Sequence, residues 1–164
     1  MIIEQKQISP NQILLFFPTP LSIIGTISNQ DNMDHFLCSP LKASKSYLLT
    51  KDFLYIEADT PNSLEDLILS SIIALDDYTT SPTQITAPAT NQEAKIIKIL
   101  KLIVSPFLNK DGGDVEFSHI INNTVYVKFL GKCNGCPYAQ KTLTERVEKN
   151  LISYLPIIRK AELI

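Results

Sequence analysis

Two cysteines, Cys133 and Cys136, lie three positions apart in the segment GKCNGCP at residues 131–137. The segment follows a stretch typical of a β-strand and precedes an amphipathic stretch typical of a helix, with Pro137 near the first helical position. Because the N-terminus of a helix and the Lys132 ammonium both favour negative charge, this position predicts a lowered pKa for the two thiols. Thiolates bind soft metals, so this pair is the candidate site.

The C-x-x-C spacing alone leaves several kinds of site open. A structural zinc site needs two further ligands, and the two histidines are His35 in the other half and His119 on a predicted strand. A thiol–disulfide redox pair fits the start of a helix, although such pairs usually follow a parallel βαβ unit rather than a hairpin. The remaining interpretation is that one chain supplies half of a ligand set and a second copy supplies the other half.

Other residues that could act as ligands have simpler interpretations. Asp111 and Asp114 flank two glycines in DGGD, where Asp side chains commonly bond to turn backbone. Cys38 fits a small buried side chain, and His119 fits a strand residue whose imidazole has a hydrogen-bond partner. We therefore assign the candidate site to Cys133 and Cys136 alone.

The elements around the cysteines predict a compact α+β domain over residues 91–164. A capping box at Thr90 and Glu93 predicts a helix in which Pro106 causes a kink or the end. Its expected inward positions are Ile96, Ile99, Leu100, Ile103 and Phe107. A hairpin with an Asn-Asn turn at 122–123 follows, then the cysteine loop, a helix at about 138–153 and a short last strand. Leu143, Val147 and Leu151 align along one side of that helix.

The first half predicts a second, separate α+β domain over residues 1–78. Apolar stretches at 12–17, 21–27 and 53–58 are typical of three strands, and residues 61–77 are typical of an amphipathic helix capped by Thr60 or by Asn62 with Glu65. Residues 79–90, TTSPTQITAPAT, carry no charge and are rich in Thr and Pro, which predicts a flexible linker. The predicted fold class is therefore α+β, with two small domains joined by this linker.

Composition restricts the function classes. The chain has 164 residues, a net charge of −2 and no apolar run long enough to span a membrane, so we expect neither nucleic-acid nor membrane partners. Residues 1–84 hold four basic and ten acidic residues, whereas residues 85–164 hold eleven basic and seven acidic ones. Three cysteines and no visible export signal favour a reducing cytoplasmic compartment of a bacterial cell, with the mitochondrial matrix as the alternative.

Two motifs carry a specific resemblance. The sequence DGGDVEF, followed by a hairpin that ends in VKFLGKCNGCP and by an amphipathic helix, resembles the C-terminal domain of the NifU and Nfu iron–sulfur cluster carriers over residues 92–163. In the first half, SPL at 39–41, DFLYIEA at 52–58 and the helix at 61–77 are similar, less strongly, to the Nfu N-terminal domain. Only ten residues separate Leu41 from Asp52, so that domain is trimmed relative to the family.

The resemblance implies a function and a set of partners. Cys133 and Cys136 of two subunits would hold one [4Fe–4S] cluster, or a [2Fe–2S] cluster, at the interface of a homodimer. The protein would receive the cluster from upstream assembly proteins and transfer it to apo-proteins, with the N-terminal domain used in recognition or dimer control. Since transfer needs no bond cleavage in a substrate, we expect a scaffold or carrier and not an enzyme. A thiol–disulfide oxidoreductase that uses the same pair is the alternative.

Overall fold

The structure is a computed structural model that describes residues 3–29, 31, 38–80 and 84–164, with the backbone alone for residues 38, 39 and 80. The chain divides into two compact units, Met1–Pro88 and Ala89–Ile164. Each unit contains its own helices and its own sheets. The predicted α+β class is confirmed.

The first unit is built on a five-stranded antiparallel sheet with the order β1-β2-β6-β5-β4. Its strands are β1 (Glu4–Ser9), β2 (Gln12–Phe16), β4 (Ile27–Ser28), β5 (Ser46–Leu49) and β6 (Phe53–Glu57). The central strands β2, β5 and β6 are almost continuously buried, because they have paired strands on both edges and apolar side chains. Two of the three predicted strands are therefore present as β2 and β6.

Helix α2 (Pro61–Thr80) packs its apolar side against the first unit's core. The Thr60 hydroxyl accepts a hydrogen bond from the Ser63 N–H at 3.2 Å, which confirms Thr60 as the cap. Leu64, Leu67 and Leu75 follow the spacing of an amphipathic helix and are buried. A one-turn helix, α1 (Cys38–Leu41), contacts α2.

The structure differs from the sequence prediction in two parts of the first unit. The stretch at 21–27 forms two short strands, β3 (Ile23–Ile24) and β4, on either side of Gly25, whose φ is 88°. Within the predicted linker, α2 continues to Thr80, and β7 (Ile85–Thr86) pairs in parallel with β3. Both segments gain backbone hydrogen bonds that composition alone does not reveal.

The second unit contains a three-stranded sheet with the order β10-β9-β8. Strands β8 (Gly113–Ile121) and β9 (Thr124–Gly131) form the predicted hairpin, and Asn122 and Asn123 take φ values of 49° and 64° in its turn. Strand β10 (Lys160–Leu163) is the predicted last strand and runs parallel to β9.

Two long helices cover this sheet, and each contains a π-helical stretch. Helix α3 covers residues 92–109 as Gln92–Ile99, the π segment Leu100–Val104 and Ser105–Asn109. Helix α4 covers residues 139–154 as Ala139–Thr142, the π segment Leu143–Glu148 and Lys149–Tyr154. Leu143, Val147 and Leu151 are all buried, as predicted.

Because of the π segment in α3, part of the predicted set of inward residues is wrong. A π turn contains one extra residue, so the buried positions move by one place. Val104 and Leu108 are buried, whereas Phe107 is 37% exposed. The Cζ atom of Arg146 lies 4.0 Å from the centroid of the Phe107 ring. The helix begins one residue later than the predicted capping box requires, because Asn91, with φ 53°, occupies the N-cap position in place of Thr90.

None of the helices in the described part of the chain combines the length and hydrophobicity that crossing a bilayer requires.

Candidate functional site

The two cysteines lie in a tight loop between β9 and α4. Successive turns hold the loop, with Cys133 N–H donating to Leu130 O at 3.3 Å and Asn134 N–H donating to Gly131 O at 3.1 Å. The N–H of Ala139 donates to Cys136 O at 3.0 Å, where α4 begins. Both thiols are free and partly exposed. The backbone therefore fixes the loop while both cysteines remain partly exposed.

The DGGD turn packs directly against this loop. Gly113 pairs with Gly131 at the open end of the β8–β9 hairpin, and the Lys132 N–H donates to Gly112 O at 3.1 Å. At Gly131, φ is 59° and a Cβ atom would lie 2.4 Å from that same Gly112 oxygen. The DGGD turn and the cysteine loop thus pack together as one corner at the open end of the hairpin.

Cys133 occupies a space that Gly113 leaves open. A Cβ atom at position 113 would lie 2.1 Å from the Cys133 sulfur, so a side chain there would force the sulfur to move. Two consecutive glycines in a turn predict unusual backbone dihedrals at both positions. Gly112 does have φ 79°, but Gly113 lies outside the left-handed region, so its role is steric.

The predicted lowering of the thiol pKa is wrong for Cys133. Burial, then the neighbouring Cys136, then Asp111 and Asp114 raise the pKa of the Cys133 thiol above its ordinary value. The regular helix begins only at Ala139, too far along the chain for its dipole to offset these effects. A bound metal ion would itself displace the proton.

Asp114 anchors the turn rather than pointing to a metal. Its Oδ1 accepts hydrogen bonds from the Ser105 hydroxyl at 2.5 Å and from the Val115 N–H at 2.7 Å. Ser105 follows the π segment of α3 directly, so this contact ties the helix to the turn. Ser105 was not predicted, because no local sequence pattern indicates a contact between residues nine positions apart.

His119, the histidine of the second unit, lies away from the two cysteines. His119 stacks on Tyr126 with ring centroids 4.5 Å apart, and its Nδ1 bonds to Ser118 Oγ at 2.8 Å. It lies six residues along β8 from Gly113, which corresponds to about 20 Å. Cys38 begins α1 in the first unit, and His35 lies outside the described residues.

The described residues offer a pair of sulfur ligands in each chain. No group of three or more His, Cys, Asp and Glu side chains arranged to hold a metal occurs in the described ranges 3–29, 31, 38–80 and 84–164. Two thiolates form half of the four-ligand set that zinc or an iron–sulfur cluster takes. The arrangement fits a site that a second molecule completes.

Comparison with known proteins assigns the second unit to a family. Residues 96–162 match the NifU-like domain. The chain is 31% identical over 119 residues to the Fe/S biogenesis protein NfuA of Buchnera aphidicola subsp. Acyrthosiphon pisum (strain 5A), which covers 66% of this chain and 60% of that protein. It is 31% identical over 96 residues to the NifU-like protein 1, chloroplastic, of Oryza sativa subsp. japonica. That match covers 58% of this chain and 39% of the rice protein.

A third relative is the NFU1 iron-sulfur cluster scaffold homolog, mitochondrial, of Drosophila willistoni, 33% identical over 67 residues, covering 41% of this chain and 23% of that protein. The second unit contains a NifU-like domain over residues 96–162, and the relatives that the chain resembles carry NfuA and NifU-like names. The predicted resemblance to Nfu-type proteins is confirmed. The chain matches less than two thirds of the length of each of these relatives.

Proposed function

We propose that this protein is an iron–sulfur cluster scaffold or carrier. Each of two copies contributes Cys133 and Cys136, and the four thiolates hold one [4Fe–4S] cluster between them. The observation that carries the proposal is a pair of partly exposed thiols, held in a glycine-built corner of a NifU-like domain, with no further ligand group in the described ranges. A [2Fe–2S] cluster on the same four thiolates is the alternative cargo.

The exposed loop suits transfer better than storage. A cluster bound at the end of a hairpin and shared across a separable interface is open to attack by a thiolate of an acceptor protein. Each exchange forms one iron–sulfur bond to the acceptor as one bond to this chain breaks. The released thiolate takes up the proton that the acceptor thiol gives up, so no oxidant or reductant is needed. The protein acts as a carrier and not as an enzyme, and the cluster is its cargo.

The proposal assigns roles to the partners and to the first unit. Upstream assembly proteins supply the cluster and apo-proteins receive it, as the names of the relatives, an Fe/S biogenesis protein and an iron-sulfur cluster scaffold homolog, suggest. The first unit serves recognition or control of the dimer. The protein works in a reducing compartment, the bacterial cytoplasm or the mitochondrial matrix, where free thiols persist.

Anaerobic reconstitution with iron and sulfide tests the proposal. Size-exclusion chromatography, with iron, sulfide and protein measured in each fraction, should give a dimer with about four irons and four sulfides. Cys133→Ala and Cys136→Ala should each lose the cluster, whereas the matched control Cys38→Ala should keep it. Loss of the cluster in Cys38→Ala would contradict the assigned ligands.

Two results would replace the carrier with another class of protein. A monomer that binds no iron but cycles a Cys133–Cys136 disulfide with a reductant would identify a thiol–disulfide oxidoreductase. Stoichiometric zinc, with unfolding on addition of a chelator, would identify a zinc-stabilised module.

A further inference from the structure

Gly113 and Cys133 form a contact that the ligand set alone does not explain. An added Cβ at position 113 would lie 2.1 Å from the Cys133 Sγ, 3.0 Å from its Cβ and 3.1 Å from its backbone nitrogen. The backbone at Gly113 lies outside the left-handed region, so an alanine could adopt it. The missing side chain therefore serves the thiol and not the conformation of the chain.

The surroundings of Gly113 hold it in place. It pairs with Gly131 across the hairpin, and the next residue, Asp114, accepts hydrogen bonds from Ser105 Oγ and from the Val115 N–H. Ser105 belongs to helix α3. The Cys133 sulfur therefore packs against the backbone at Gly113, and contacts with both the sheet and a helix hold that backbone in place.

We propose that Gly113 is a positioning residue that seats the Cys133 sulfur and so presents this ligand in one orientation before the cluster arrives. The functional part of this inference rests on the proposed cluster-binding role. A side chain fixed in advance loses less conformational freedom when it binds, so the seat favours capture of the cluster.

The first test uses cluster-free protein and the alkylating reagent iodoacetamide. Peptide mass spectrometry gives separate alkylation rates for Cys133 and Cys136, and Cys136 serves as the internal reference. In Gly113→Ala the Cys133 sulfur must leave its seat and become more exposed. We expect its rate, relative to Cys136, to rise about two- to tenfold, the range that corresponds to displacing a side chain from its preferred rotamer.

The matched control is Gly112→Ala, which adds a methyl group in the same turn. There the new Cβ would meet the flexible Lys132 side chain at 3.2 Å and no sulfur, although φ is 79°. The control should lower stability and leave the ratio of the two alkylation rates unchanged. An unchanged ratio in Gly113→Ala, or an equal change in Gly112→Ala, would overturn the proposal.

A double variant covers the case in which Gly113→Ala does not fold. If the sulfur is the obstacle, the double variant should fold. Adding Gly113→Ala to Cys133→Ala should then lower the melting temperature less than adding Gly113→Ala to the wild-type protein. Failure of the double variant to fold would show that the methyl group clashes with something other than the sulfur, and the proposal would fall.

The rate of iron release to a chelator tests whether the position of the Cys133 sulfur affects retention of the cluster. Reconstituted Gly113→Ala should lose iron to a chelator faster than the wild-type protein and faster than Gly112→Ala. If the wild-type protein holds no iron, the proposed function fails, and the alkylation ratio still decides whether Gly113 positions Cys133.

Discussion

The two units of this protein share a fold class but use glycine and apolar residues differently. The first unit buries a cluster that includes Leu15, Leu49, Leu54, Ile56 and Leu75 between a five-stranded sheet and α2. The second unit places its two thiols at the open end of a hairpin, where Gly112, Gly113 and Gly131 form a corner. The first unit depends on buried area, whereas the candidate site depends on close backbone contacts. Substitutions should therefore separate stability from cluster binding.

A core substitution in the first unit should give the largest loss of stability. Leu54 is fully buried in β6, and Leu54→Ala should lower the free energy of unfolding by about 2–5 kcal/mol through lost burial and a cavity. Urea unfolding measures this loss. The iron bound per folded dimer should not change.

The control for this prediction is Leu69→Ala on the outer side of α2. Leu69 is 63% exposed, so the change in stability should stay within about 0.5 kcal/mol. Equal losses for the two variants, or loss of iron in folded Leu54→Ala, would contradict the contrast between the two units.

Two glycine substitutions in the second unit should differ from each other. Gly131→Ala combines a left-handed backbone with a Cβ 2.4 Å from the Gly112 oxygen, whereas a Cβ at Gly135, with φ 76°, would meet nothing within 4 Å. The conformational cost is about 1–2 kcal/mol in both variants. Overpacking should add about 1–3 kcal/mol in Gly131→Ala alone.

Thermal unfolding of the isolated variants, compared at one pH, measures this difference. Gly131→Ala should also bind less iron, because the corner that supports Cys133 opens. Equal stability of the two variants would show that the contact with the Gly112 oxygen is relieved without cost.

The smallest effect should come from an exposed ion pair in the first unit. The hydrogen bond from Lys45, with Nζ 3.0 Å from Glu57 Oε1, lowers the pKa of the Glu57 carboxyl below its ordinary value. A lowered pKa in the folded state means that Glu57 stabilises the fold above pH 4.5 and that this contribution disappears as the pH falls through the folded pKa. Because solvent screens this pair, the contribution to stability is small.

Stability measured between neutral pH and about pH 3 tests the pair. The wild-type protein should lose slightly more stability on acidification than Glu57→Gln, which has no charge to lose. A steeper loss in Glu57→Gln would reverse the sign and exclude the assigned role.

The sequence predicted the second unit more completely than the first for a physical reason. The Asn-Asn turn and the spacing of Leu143, Val147 and Leu151 are local signals, and the structure confirms the hairpin and the last helix. In the first unit β1 was not predicted, because most of its side chains are exposed and its stability comes from backbone pairing with β2. Strand β5 was also not predicted, and its burial depends on neighbours distant in sequence.

The amino-acid sequence alone determined the identity and spacing of the two thiols, the glycines around them and the order of elements in the second unit. Tertiary structure alone decided that Gly113 seats Cys133, that Ser105 holds Asp114, and that the pKa of Cys133 rises rather than falls. These features depend on distances between residues far apart in the chain. Such distances exist only after β8 pairs with β9 and α3 packs beside them.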